Sequence, residues 1–247
     1  MLLDNYKKES PIIGVAGLGG GINSYIFLSS GGGYEISRSL RFNDNDSAYL
    51  NRTPSSASNR RTFTWSGWVK KTSTGSTYAM FGSGTGSNDL DALDFNGEQF
   101  RYTRSTSGSF KDVKTNALHR DPSAWYHVVL AVDTTQATSS NRVKLYVNGD
   151  LQTSLAASNY PSQNEDTFIN STEPQVIGRR SIHQDDYFDG YLADVHLVDG
   201  QALAATDFGE FDDDGVWQPK KFSGTYGTNG FHLDFKDNSS NAALGTD

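Results

Sequence analysis

From Ser37 onward the dominant hydrophobic period is two, and a chain that alternates this way over most of its length is restricted to antiparallel sheet. The clearest run sets Phe63, Trp65, Gly67 and Val69 against Thr64, Ser66, Trp68 and Lys70, so Trp68 lies on the face opposite Trp65. Leu40 and Phe42 alternate with Ser39, Arg41 and Asn43. Further strands are expected over 78–81, 100–103, 125–132, 143–147, 176–178, 191–198 and 231–235. Turn clusters separate them at 73–76, 82–88, 105–109, Asn148-Gly149 and Asp189-Gly190. Asn148-Gly149 is the best hairpin signal, because a type I′ turn needs positive φ at both central positions. One short stretch, 202–208, has a helical pattern. No βα alternation and no internal repeat accompany it, which leaves an all-β, two-sheet sandwich or a barrel and disfavours a propeller or solenoid.

Composition sharpens this. The 247 residues include no cysteine, which removes thiolate nucleophiles, zinc–thiolate sites, iron–sulfur ligation and disulfides together. A chain of this size buries roughly 70% of the surface its unfolded form exposes, so one core can serve without staples. The 21 basic and 29 acidic residues give a net charge of −8 with no basic cluster, so nucleic acid is not an expected partner. No run reaches the roughly 18–20 apolar residues of a membrane span, so membrane insertion is not expected.

Residues 1–34 differ from the rest. Ile12, Ile13, Val15, Leu18, Ile22, Tyr25 and Phe27 are scattered among glycines, and Gly31-Gly32-Gly33 closes the stretch like a hinge. Glu9 and Pro11 separate Lys7 and Lys8 from the apolar run, unlike a signal peptide. Gly17 and Gly19 begin a G-x-G, but Ile22 stands at the sixth position, so this is no dinucleotide fingerprint. The expectation is an extended assembly arm that docks along another subunit. It precedes a sandwich over 35–235 and a polar tail or linker over 236–247 with no strand period.

Three segments carry a family resemblance: FTWSGWVK at 63–70, WYHVVLAVD at 125–133 with VKLYVNG at 143–149, and FDGYLADVHLVDGQAL at 188–203. Together they resemble the laminin-G-like branch of the concanavalin A-like jelly rolls, which implies an all-β, two-sheet antiparallel jelly-roll sandwich. A narrower similarity lies in SPIIGVAGLGGGINSYIFL, in the SRSLRF to TFTWSGW block and in GVWQPKKFSGTYGTNGFHLDF, which look like structural proteins of marine tailed bacteriophages. That likeness implies a virion protein assembled in the host cytoplasm, a tail-fibre or appendage subunit. Its implied partners are other tail or capsid proteins, further copies of itself, with a trimer favoured, and host-surface polysaccharide. A capsid decoration protein is the alternative, and a secreted lectin or glycan-cleaving enzyme the reading from another class.

Some members of the fold cleave polysaccharides with alternating carboxylates on one strand. Glu210, Asp212 and Asp214 come nearest, but the final Glu is missing and Gly209 and Gly215 bracket the run, so a solvated loop and no catalytic residue are expected. His127 and His196 fall inside strands, where packing or hydrogen bonding is expected of them; His119, His183 and His232 are scattered, and no His pair has metal-binding spacing. No cofactor is expected beyond calcium. Of the acidic clusters Asp89/Asp91/Asp94, Asp185/Asp186/Asp189 and 212–214, the second is the better candidate for a hard cation. Glycan recognition needs an aromatic platform beside polar groups. His183, Asp185, Asp186 and Tyr187 could line one loop end, and Trp217, Tyr226 and Asn229 lie in the Gly-rich tract near the C-terminus.

Overall fold

The computed structural model describes residues 33–181 and 186–246. The apolar arm positions Ile12, Ile13, Val15, Leu18, Ile22, Tyr25 and Phe27, together with His183 and Asp185, lie outside the described residues. The first eight strands are β1 (Leu40–Phe42), β2 (Leu50–Arg52), β3 (Thr62–Lys71), β4 (Thr77–Gly86), β5 (Asp89–Asn96), β6 (Gln99–Thr106), β7 (Ser109–Thr115) and β8 (Tyr126–Asp133). The remainder are β9 (Val143–Val147), β10 (Asp150–Leu151), β11 (Leu155–Ser158), β12 (Gln175–Ile177), β13 (Gly190–Asp199), β14 (Gly209–Phe211), β15 (Trp217–Pro219) and β16 (Phe231–Leu233).

Among the described residues all pairings are antiparallel, forming two seven-stranded sheets and a two-stranded β14–β15 sheet. Sheet A runs β1-β13-β3-β8-β9-β10, with β16 also on β13; sheet B runs β11-β7-β6-β5-β4-β12-β2. The two sheets face one another across a core that includes Phe63, Trp65, Phe81, Phe95, Phe100, Tyr102, Leu130 and Phe188. Each such side chain stabilises the fold by roughly 1.5–3 kcal/mol relative to exposure, which is how a chain without disulfides holds together. Among the described residues helix is confined to single 3₁₀ turns, and none is long and apolar enough to cross a membrane.

The period-two reading of β3 is what the structure shows. Phe63, Trp65 and Val69 point into the core, and Gly67 leaves the room that the Trp65 ring fills: a Cβ there would sit 2.7 Å from Cη2. Asn148 and Gly149 both take positive φ (49° and 88°) and close the β9–β10 hairpin.

Three local expectations change. Within the 82–88 cluster the turn is confined to Ser87-Asn88, because β4 continues to Gly86; Gly82 is needed for a close approach, since a Cβ would lie 1.8 Å from the Arg180 carbonyl oxygen. Asp89, Asp91 and Asp94, read from sequence as an acidic cluster that could hold a cation, form part of strand β5. The 202–208 stretch is reduced to a 3₁₀ turn at Ala205–Asp207.

Asp91 is the reason an acidic segment can run through the middle of sheet B. It points inward, where its carboxylate accepts from Tyr102 Oη (2.6 Å), Arg104 Nη1 (3.2 Å) and the Phe168 N–H (2.6 Å). Arg104 Nη2 donates to the Asp166 carbonyl at 2.7 Å, so the pair ties sheet B to the segment bridging the sandwich end. On the sheet A side, Asn170 Nδ2 donates to the Asn59 carbonyl and the Asp199 carboxylate, both at 3.0 Å.

A second apolar layer covers the outer face of sheet A. The β14–β15 hairpin and the segment after it bring Phe208, Trp217, Phe222 and Tyr226 over Trp68, Val129 and Val198. The tract 34–37 also lies against Asp194, Asp234 and Lys236, so the chain enters and leaves the sandwich at one corner. Tyr34 Oη donates to Asp194 at 2.7 Å, which ties Tyr34 to the sandwich.

Candidate functional site

The outer face of sheet B carries the group best suited to meet a ligand. Tyr49 directly precedes β2 and Arg179 follows β12, and the register Ile177↔Leu50 sets them side by side. Tyr187 arrives from the 186–189 segment, which is fixed on both sides: the Ala79 N–H donates to the Asp186 carbonyl (3.2 Å) and the Phe188 N–H to Gly178 (2.9 Å). The Arg179 guanidinium thus lies 5.2 Å from the Tyr49 ring centroid and 4.9 Å from that of Tyr187, with the two rings 6.3 Å apart. Tyr49 is 37% exposed. Such a trio offers aromatic faces for sugar C–H groups beside a fixed cation.

A line of alternating charge adjoins it. Asp186 pairs with Arg180 Nη1 (3.0 Å), Arg180 Nε lies 3.9 Å from Asp94, and Asp94 takes two bonds of 2.9 Å from Arg101. Arg101 in turn lies 3.7 Å from Asp112. Asp94 is fully buried, and bidentate geometry gives such a pair its directional strength. The lattice stiffens the surface on which the tyrosines stand.

The structure divides the residues expected from sequence. Asp186 and Tyr187 do lie together at this rim. The proposed platform of Trp217, Tyr226 and Asn229 is corrected by burial and hydrogen bonding. Trp217 is 8% exposed with its indole N–H donating to His127 Nδ1 at 3.0 Å. Tyr226 Oη meets His196 Nδ1 at 2.8 Å. Asn229, 3% exposed, spends its amide on the Ser56 carbonyl and Ser58 Oγ, and its own N–H on Asp199. All three stitch the C-terminal tract to the sandwich. The calcium candidates Asp186 and Asp189 are held apart by different arginines, Asp189 pairing with Arg41 at 2.6 Å and accepting from Thr72 Oγ1 at 2.5 Å. Glu210 and Asp212 fall in the β14–β15 hairpin, where Asp212 accepts from the Val216 and Asp214 N–H groups and Gln218 Nε2.

Beneath the second layer lies a buried histidine network. The indole of Trp217 can only donate, so His127 Nδ1 accepts and its Nε2–H faces Ser66 Oγ at 2.9 Å. Burial, with His196 nearby, lowers the His127 pKa to about 3. Asp194, at a bulge in β13 with φ of 50°, faces His232 Nε2 at 2.7 Å, His196 Nε2 at 3.2 Å and Tyr34. Burial pushes its carboxyl up, yet these bonds outweigh burial and hold it well below the usual carboxylate range. Nitrogen and oxygen atoms of Asp194, His196 and His232 all lie within 4.8 Å of one another. The two imidazoles are stacked face to face, 4.2 Å apart and 4° from parallel, so their lone pairs run side by side and do not converge on one ion. The arrangement is a hydrogen-bonded stack that locks the C-terminal tract down. Sequence alternation puts Asp194 and His196 on one strand face; their meeting with His232 and Tyr34 is a matter of tertiary pairing.

Two antiparallel sheets packed face to face, crossed at one rim by a tyrosine–arginine cluster, define a lectin-like jelly roll. Residues 42–207 match the laminin G-like profile of the concanavalin A-like lectin/glucanases superfamily, and the chain belongs to that family. No curated protein matches it in sequence. Domain 4 of an extracellular arabinanase from Geobacillus stearothermophilus, solved with arabinotriose, is similar with a TM-score of 0.51 and 18% identity over 68% of this chain and 73% of that one. A pentraxin from Limulus polyphemus is similar with a TM-score of 0.49 and 17% identity over 67% and 77% of the two chains. Domains LG4-5 of the mouse laminin alpha1 chain give a TM-score of 0.48 and 12% identity over 79% and 46%. At these identities the likeness is one of fold.

Proposed function

We propose that the protein is a non-catalytic virion subunit of a tailed phage, a fibre or appendage component held by its N-terminal arm. Its jelly roll contacts host-surface glycan at the Tyr49–Arg179–Tyr187 rim. The observation that carries the glycan contact is the arginine held between two tyrosine rings on a rigid, partly exposed edge. The virion assignment is supported by the similarity of the N-terminal, 37–68 and 215–235 blocks to phage structural proteins. Other virion proteins and further copies of the chain, a trimer favoured, are the proposed partners, with capsid decoration as the alternative placement. The proposal includes no cofactor; calcium would be revealed by a metal-dependent rise in melting temperature.

Against a panel of bacterial surface polysaccharides, Tyr187→Ala is expected to weaken binding about tenfold or more, roughly 1.4 kcal/mol, with no release of reducing ends by either protein. Its melting temperature should hardly move, because truncating a surface side chain usually changes stability by about 0.5 kcal/mol or less. Unaltered binding would remove the rim from the proposal, and reducing ends released by the wild type would remove the non-catalytic part. Deleting residues 1–33 retains Tyr34 and its bond to Asp194, and should leave a folded sandwich that no longer joins particles. Normal incorporation of the truncated protein would refute the arm.

A further inference from the structure

Sheet A carries a groove that the second apolar layer leaves open, and the inference drawn from it rests on the glycan-contacting reading above. Its floor is made by Lys144 and Tyr146 of β9 and by Ala131 of β8, which pairs directly with Lys144. Because Val143, Leu145 and Val147 face the core, alternation turns Lys144 and Tyr146 outward. Asp133, Gln136 and Asn141 close one end, and the 202–204 strap forms the far wall. The hollow measures about 310 Å³, within the range of roughly 300–1,000 Å³ usual for small-ligand sites.

The groove is built, not incidental. Small side chains at Ala131, Ala202 and Ala204 create its width. Thr64 Oγ1 fixes the wall by donating to the Gln201 carbonyl (2.7 Å) and accepting from the Leu203 N–H (2.8 Å). The Asp133 carboxylate is already occupied by the Thr135 N–H (3.0 Å), Thr135 Oγ1 (2.6 Å) and Gln136 Nε2 (2.6 Å). Lys144 Nζ, by contrast, has no hydrogen-bond or ion-pair partner among the described residues. An aromatic side chain, an exposed amide at Asn141 and an uncommitted cation thus share one rigid hollow.

We infer that this groove binds a unit of an acidic polysaccharide, a uronate, whose carboxylate meets Lys144, whose ring C–H groups pack on Tyr146 and whose hydroxyls bond Asn141. A charge-assisted contact of this kind selects acidic over neutral sugars, since a neutral unit leaves the lysine unanswered.

Titration calorimetry of the full chain with oligomannuronate and oligogalacturonate, each beside its carboxyl-reduced counterpart, tests the assignment. The uronates should bind about tenfold or more tightly than the reduced sugars. Lys144→Ala should erase that preference, Lys144→Arg should keep it, and Tyr146→Ala should weaken both sugars, with melting temperatures reporting that each variant is folded. Equal binding of acidic and reduced sugars, no binding of any uronate, or an unaffected Lys144→Ala would overturn the inference. If the groove variants bind like wild type while Tyr187→Ala does not, the groove is excluded and the rim reading stands. If the surface-polysaccharide panel also fails, both fall.

Discussion

Asp91→Ala should lower the free energy of unfolding by about 3–5 kcal/mol, a large part of the roughly 5–15 kcal/mol that a typical domain has. The substitution removes the acceptor shared by Tyr102, Arg104 and the Phe168 N–H, and leaves the Arg104 guanidinium in the interior facing only Glu165, the Ser105 and Asp166 carbonyls and the Phe168 ring. A buried cation that loses its fully buried carboxylate and keeps only Glu165 as counter-ion costs more than the lost bonds themselves. The double variant Asp91→Ala with Arg104→Met should recover part of the loss, because an apolar pair no longer leaves a charge stranded. Urea unfolding of wild type, Asp91→Ala, Arg104→Met and the double variant checks this. A single variant within 1 kcal/mol of wild type, or a double variant worse than the sum of the singles, would refute the strut.

The second large effect is a dependence on pH that one residue controls. His119 packs between the Phe100 and Tyr126 rings, with centroids 4.6 and 5.1 Å away. Burial, reinforced by the nearby Lys71 ammonium, lowers its pKa to about 4 from an ordinary value near 6.5. Between these values the unfolded chain takes up a proton that the folded one refuses. The His119 contribution is therefore constant above pH 6.5, falls as the pH drops, and has been lost in full once the pH is below 4. His119→Phe keeps an aromatic ring in the slot and removes the titration. It should match wild type at pH 7 to within about 1 kcal/mol, and at pH 4.5 exceed it by about 2–3 kcal/mol, two pH units below the unfolded value at 1.36 kcal/mol each. His127 titrates in the same direction in both proteins and cancels from the comparison. Denaturant curves at pH 7, 5.5 and 4.5 decide it, and a difference that stays constant with pH would sink the assignment.

The sandwich was legible wherever one face of a strand is apolar. β3, β8 and β9 follow their alternation, β13 does so on either side of its bulge at Asp194, and the Asn148-Gly149 turn follows from its residue types. β5 was hidden because its acids mimic a loop, and only the cross-strand partners Tyr102, Arg104 and Arg101 make a strand of Asp91 and Asp94 stable there. The glycines of β4 read as turn residues, whereas Gly82 answers to the backbone crossing above it. The site was half visible. Tyr187 and Asp186 stand out locally, but Tyr49 meets Arg179 and Tyr187 from the far end of the chain through the β2–β12 pairing, and neither Tyr49 nor Arg179 carries a local signal. Trp217, Tyr226 and Asn229 resemble a sugar platform in composition; what decides otherwise is the second layer, which no period reveals.

The shared corner where 34–37 meets 234–236 makes the sandwich separable from whatever bears it. A host polypeptide could carry the whole domain as an insertion between two neighbouring residues of one of its own surface loops without prying them apart. Reversing the logic, joining position 236 to position 34 by a short linker and opening the chain at the Ser107-Gly108 turn should give a circular permutant with the same two sheets. The domain would then behave as a cassette whose point of suspension is chosen independently of its binding face.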